Sequence, residues 1–171
     1  MNSLLKQLAA LLESEQDIVA NAANTASFLF NNLEQVNWLG FYFLKDTVSE
    51  ANSVDLIESK LGQDKQLVVG PFCGQPACTR IPIGQGVCGT AFAQQQTIIV
   101  DDVHDFDGHI ACDAASQSEL VVPFNIDGLE PLSGVLDIDS PITKRFGEDE
   151  KAFFEKVVEI YVNACSLNPK R

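Results

Sequence analysis

Basic residues are scarce in this chain: 11 Lys and Arg stand against 24 Asp and Glu, a net charge of −13. A surface so poor in cations does not gather phosphates, so neither nucleic acid nor an anionic membrane is an expected partner. What remains is a mild attraction towards cationic groups such as an amine. No apolar run approaches the length of a membrane span. The stretch Met1 to Leu12 is broken by Lys6 and Gln7 and does not read as a secretion signal. The protein is therefore expected in the cytoplasm, with its thiols reduced at rest. Its five cysteines include no C-x-x-C pair, and an odd number argues against a purely structural disulfide framework. Internal repeats and low-complexity tracts are absent.

What is present is apolar mass. Hydrophobic residues make up 46% of 171 and include 11 Phe, enough to bury one sizeable core, and the length suits a single domain spanning residues 1–171. Leu4, Leu5, Leu8, Leu11 and Leu12 recur at helical spacing and predict an N-terminal helix within residues 1–16. A second helix is expected from Asp17 to Leu33, with Ile18, Ala22, Ala26, Leu29 and Leu33 as its buried stripe and Ser14 as its cap. Val36 to Leu44 switches to period two, with Leu39, Phe41 and Phe43 on one face and Trp38, Gly40 and Tyr42 on the other. Residues 45–65 read as a polar surface insertion. Strands are expected at Gln66–Phe72, Cys78–Ile83 and Thr97–Val100, with a helix from Gly86 to Gln94. Glu119–Ile126 and Leu132–Asp139 form a hairpin around Asp127-Gly128. A last helix runs from Glu148 to Ser166, with Phe153, Phe154, Val157, Val158, Tyr161 and Ala164 facing inward and Asn168-Pro169 ending it. Helices at both ends around serial strands predict an α+β fold, a mostly antiparallel central sheet with helices packed on it.

Chemistry concentrates in three places. The loop DDVHDFDGHIACDAASQS, Asp101 to Ser118, holds Cys112 and both histidines, His104 and His109. A cysteine in a donor-rich loop is a candidate for reactivity, although a small inert Cys in a structural loop fits the same residues. The turn ACTRIPIGQGVCGTA carries Cys78 and Cys88 around Gly84-x-Gly86, which either exposes N–H groups to an anion at a helix start or is simply a tight strand-to-helix turn. Cys88 is expected to be packed, Cys165 to be structural, and Cys73 is ambiguous. The strand at Leu132–Asp139 puts Asp137 and Asp139 on one face, and a paired hairpin adds Glu119 to them. Buried together, such acids must share a proton or a cation; on an outer face they are harmless. Trp38 and Tyr42 either pack under a helix or wall a pocket.

The segments VNWLGFYFL, GPFCGQPACTRIPIGQGVCGTA, DDVHDFDGHIACDAASQSELVVP and GVLDIDSP closely resemble the free methionine-(R)-sulfoxide reductases, enzymes made of a single GAF domain. The likeness runs from about Asn21 into the final helix, and GHIACD and ACTRIPIGQGVCGTA are its most specific parts. The resemblance implies Cys112 as nucleophile, Cys78 as main resolving cysteine and Cys88 as the third motif cysteine. It implies Glu119, Asp137 and Asp139 as the acids that engage substrate or move a proton, and Trp38 and Tyr42 as the lining of the substrate pocket. It also implies no prosthetic cofactor, thioredoxin or a similar dithiol as electron donor, and leaves room for a homodimer. Two departures stand out: the 45–65 insertion is longer than in compact bacterial members, and Cys73 stands where the family does not usually have Cys.

The chemistry agrees with that assignment. A sulfoxide needs a soft nucleophile on sulfur, which a thiolate supplies, and a proton for the departing oxygen, which a carboxylic acid of raised pKa supplies. Three other readings compete. A non-catalytic GAF module that senses a small ligand leaves the cysteines unexplained. A metal centre of His104, His109 and Cys112 has a spacing that matches no standard zinc pattern. A Cys–His amide hydrolase needs an orienting partner and an oxyanion hole that sequence does not reveal.

Overall fold

Alternation along the central strands decides the architecture. In the computed structural model, which describes residues 1–46, 65–108, 114–127 and 132–166, β1 (Trp38–Asp46), β2 (Lys65–Cys73), β3 (Arg80–Pro82), β4 (Ile98–Val100), β5 (Ser118–Ile126) and β6 (Leu132–Ser140) form one sheet in the order β3-β2-β1-β6-β5-β4. Every pairing is antiparallel. Strands β1, β5 and β6 are mostly buried on both faces, so the sheet is covered twice.

The first cover is helical. Helices α1 (Asn2–Leu12), α2 (Ile18–Asn32) and α4 (Glu148–Cys165) lie on the face that presents Leu39, Phe41, Phe43, Leu120, Val122, Phe124, Leu136 and Ile138. Phe41 meets Tyr161 at 4.6 Å between ring centroids, and Phe124 meets Tyr161 edge-on at 5.5 Å, which locks α4 across the strands. The second cover is the short α3 (Gly86–Gln94) with the loops around it. Val87, Cys88 and Ala91 of α3 pack there against Trp38, Tyr42, Val121 and Val135.

The expected α+β fold, the helix Gly86–Gln94 and the two faces of β1 and β6 are all found. Several details differ. The cap of α2 is Asp17 rather than Ser14: Asp17 is extended and its carboxylate accepts the Ala20 N–H at 2.8 Å. The inward stripe of α2 also includes Asn21 and Thr25, while Ile18 and Leu33 are half-buried. On α4 the stripe ends on Cys165, with Ala164 half-buried. The expected strand Cys78–Ile83 shrinks to Arg80–Pro82, which leaves Cys78 in a loop. Strands β1 and β2 run on to Asp46 and Lys65, where Lys45 still pairs with Gln66 and Asp46 with Lys65. The rest of the expected insertion, 47–64, lies outside the described residues, as do Asn168 and Pro169.

Candidate active site

Cross-strand register sets the polar side chains in rows on the sheet face away from α1, α2 and α4. Trp38 on β1 stands opposite Asp139 on β6, and Asp139 opposite Glu119 on β5. The next row is Gly40, Asp137 and Val121; the third is Tyr42, Val135 and Pro123. Paired residues share a face, so the three acids emerge beside the two aromatic side chains. Glu119 and Asp137 are each 6% exposed and Asp139 is 7% exposed. A harmless solvated face is thereby excluded.

Gly40 makes the second row possible. A Cβ there would run into Phe72 Cβ and, at 2.7 Å, the edge of the Trp38 indole. The indole therefore lies over the strand, stacked on Phe72 at 5.2 Å and on Tyr42 at 5.8 Å between centroids. Phe72 is a wall residue that periodicity did not single out; its opposition to Gly40 is the signal that would have found it. The polar ends of the inner two rings face the loop between β2 and β3. Trp38 Nε1 donates to the Gln75 carbonyl at 3.1 Å, and the Tyr42 hydroxyl donates to the Cys78 carbonyl at 3.1 Å. The aromatic wall thus holds the backbone that carries Cys78, itself half-buried against the same core.

Helix α3 closes the acid rows. Gly84 and Gly86 take positive φ values of 82° and 60° in the turn that starts it. At Gly89 a Cβ would strike the Pro82 carbonyl, so the turn and the helix lie backbone on backbone. This close seating brings Cys88 Sγ to 3.8 Å from Glu119 Oε1. One ligand-type atom each from Cys88, Glu119 and Asp137 lie within 4.8 Å of one another. Asp137 Oδ1 is buried with no hydrogen-bond partner among the described residues. Burial pushes the carboxyls of Glu119 and Asp137 well above the usual carboxylate range; the charge of Asp139 adds to this at Glu119, and that of Glu119 at Asp137. Burial, and then the charge of Asp137 and Glu119, raises the Cys88 thiol too. Cys88 is consequently a neutral thiol and a poor nucleophile. The cluster retains protons that a reacting oxygen or an incoming cation can take or displace.

The remaining candidates separate cleanly. Cys73 ends β2 opposite Leu39, on the helix-covered face and away from Trp38, and its thiol is raised by burial. Cys165 is buried in the helical core, where Asn21 Nδ2 donates to its sulfur at 3.5 Å. His104 is exposed and sits with Nδ1 2.7 Å from Asp102 Oδ1, which also accepts the His104 backbone N–H at 3.0 Å. Those hydrogen bonds hold the Asp102 carboxyl below its ordinary value. Cys112, the expected nucleophile, and His109 lie outside the described residues, and with them two members of the His104, His109, Cys112 metal set. Among the described residues, the one group of His, Cys, Asp and Glu with metal-compatible spacing is Cys88, Glu119 and Asp137. No helix among them is long and apolar enough to cross a membrane.

Comparison with known proteins places the chain. A match to the GAF domain family spans residues 12–164. Protein YtsP of Bacillus subtilis is 49% identical over 95% of this chain and 89% of its own length. The free methionine-R-sulfoxide reductase of Escherichia coli is 44% identical over 88% of this chain and 80% of its own. Among solved structures, fRMsr of Staphylococcus aureus in complex with substrate superposes with a TM-score of 0.79 at 43% identity, covering 96% of this chain and 95% of that one.

Proposed function

Since the chain belongs to the GAF domain family and, within it, to the free methionine-R-sulfoxide reductases, we propose that its buried acid rows seat free methionine-(R)-sulfoxide and that its cysteines reduce it. The observation that carries this reading is the set Glu119, Asp137 and Asp139, each at most 7% exposed, beside the Trp38–Tyr42 wall. A substrate ammonium neutralises buried carboxylates that are otherwise costly to ionise. The S-methyl group lies against the apolar faces of Trp38 and Tyr42, whose ring donors are already given to Gln75 and Cys78. A methionine inside a peptide lacks the free ammonium and carboxylate and is excluded.

In the proposed chemistry the Cys112 thiolate attacks the sulfoxide sulfur. An S–S bond forms and the S–O bond breaks as protons from the Glu119–Asp137 pair and solvent reach the oxygen, which leaves as water. A water then attacks the Cys112 sulfur, breaks the S–S bond and returns a proton. Two electrons pass from cysteine to substrate, giving methionine and a sulfenic acid on Cys112. The Cys78 thiol then condenses with that sulfenic acid, forming the disulfide and releasing water. A dithiol protein such as thioredoxin reduces the disulfide, a donor in keeping with a cytoplasmic setting. Cys78 is favoured as the resolving thiol because it lies in a loop tied to the pocket wall, whereas Cys88 is protonated among acids and Cys73 belongs to the other face.

The test is NADPH consumption in a thioredoxin-coupled assay on free and N-acetylated methionine-R-sulfoxide. Free substrate is expected to be turned over and the blocked form to react far more slowly. Equal rates on both would refute the enclosed seat.

A further inference from the structure

We infer that Cys88, Glu119 and Asp137 form an inhibitory site for a soft divalent cation such as Zn²⁺, occupied in competition with the substrate ammonium. The competition rests on the seating proposed above; the metal site itself does not. Its donor set is unusual for a pocket built only to hold an amine, because it includes a thiol. The donors come from three elements, α3, β5 and β6, and one atom from each already lies within 4.8 Å of the others. Metal–sulfur and metal–oxygen bonds of about 2.3 Å and about 2.0–2.2 Å place neighbouring ligand atoms about 3.5 Å apart, so the group must contract by roughly an ångström. The Asp137 carboxylate is aimed into the cluster, is 6% exposed, and keeps Oδ1 without a hydrogen-bond partner among the described residues. An unpartnered buried carboxylate oxygen is an open ligand position.

Charge and softness select the ion. A thiolate and two carboxylates bring three negative charges into a site where Cys88 is 3% exposed and Glu119 6% exposed. A divalent cation offsets two of them, where an ammonium offsets one. Binding forms an Sγ–metal bond, and the Cys88 proton leaves to solvent together with any proton on the acids. Three donors, one of them sulfur, fall short of the six or more oxygens that Ca²⁺ takes and of the octahedral oxygen shell of Mg²⁺, and suit Zn²⁺ or Cd²⁺ with a water as fourth ligand.

The experiment uses reduced full-length protein and Cd²⁺ as an optical stand-in for Zn²⁺, since a thiolate–cadmium bond has its own ultraviolet charge-transfer band. A Cys73→Ser, Cys78→Ser, Cys112→Ser variant removes the thiols that compete for metal. It is expected to give the band at one equivalent per chain and to lose it when Cys88→Ala is added. Glu119→Gln and Asp137→Asn, each added to the same background, should weaken Cd²⁺ binding at least tenfold while leaving Cys88 in place. Absence of the band in the triple variant with native circular dichroism, or a Cd²⁺ affinity indifferent to both acid substitutions, would overturn the site. Wild-type steady-state kinetics with Zn²⁺ form the second arm: apparent KM should rise with Zn²⁺ at constant kcat. A band that depends on Cys88 together with purely noncompetitive inhibition would leave the metal site standing and overturn the seating of the ammonium.

Discussion

The two faces of one sheet differ in what they bury: one is chiefly apolar and the other carries acids and a thiol. Strand β6 presents Leu136 and Ile138 to the long helices and Val135, Asp137 and Asp139 to α3. Backbone, twist and hydrogen bonding are common to both sets. One face is an apolar seal that two aromatic layers, Phe41 with Phe124 and Tyr161, make rigid. The other holds three buried acids and a thiol, an arrangement that costs stability when the acids ionise. The helical side supplies the packed apolar core on which the acid-bearing side is built.

Cysteine substitutions give the largest expected effect and probe only the chemical face. Cys112→Ser should abolish methionine formation even in a single turnover. Cys78→Ser should still release about one methionine per chain and then stall with thioredoxin as sole reductant. Quench-flow product counts check both; loss of the first methionine in Cys78→Ser would make Cys78 the nucleophile instead.

Adjacent residues on β6 then test the comparison directly. Leu136→Ala opens a cavity in the seal and should cost about 2–5 kcal/mol of stability, with kcat/KM of the folded fraction retained. Asp137→Asn, one residue on, should cost about tenfold to ten-thousandfold in kcat/KM. Its stability should move the opposite way. Because the folded-state pKa of Asp137 is raised, ionisation opposes folding, so the stabilising protonated form is present below the unfolded carboxylate value and is lost as pH rises through the folded one. Asp137→Asn, and Glu119→Gln by the same sign, should therefore raise the melting temperature at neutral pH and change little in acid. Melting curves at two pH values decide it. Asp137→Asn destabilising at neutral pH would mean the acids support the fold rather than burden it.

The smallest effect belongs to the link between wall and loop. Tyr42→Phe removes the hydrogen bond to the Cys78 carbonyl, worth about 0.5–1.5 kcal/mol. Steady-state turnover should fall a few-fold, more than the single-turnover rate does, because the tie holds the backbone of Cys78, the proposed resolving cysteine. Equal falls in both rates would assign the hydroxyl to substrate instead.

Much of this was legible in the residues. Period two in β1 and β6 sorted Phe41 from Tyr42 and Leu136 from Asp137, because a strand allows only two faces. What the sequence withheld depends on register and docking. The Cys88–Glu119 approach joins residues 31 apart, and only the seating of α3 through Gly89 brings them together. Phe72 joined the wall because Gly40 pairs with it across β1 and β2, a register with an irregularity between Gly40 and Tyr42 that no local pattern announces. Cys73 was ambiguous until pairing with Leu39 assigned it a face. The α2 cap was misplaced by three residues because Ser14 and Asp17 are both good cap residues, and the choice lies in where the chain turns into the helix.

The chain has a single tryptophan, Trp38, and its indole N–H is bound to Gln75, three residues before Cys78. That makes the site its own fluorophore. A displacement of the loop that carries Gln75 and Cys78 would alter the hydrogen bond and the stacking of that one indole. Emission from the unlabelled protein therefore reports on the surroundings of this one indole, uncontaminated by any second tryptophan elsewhere in the molecule.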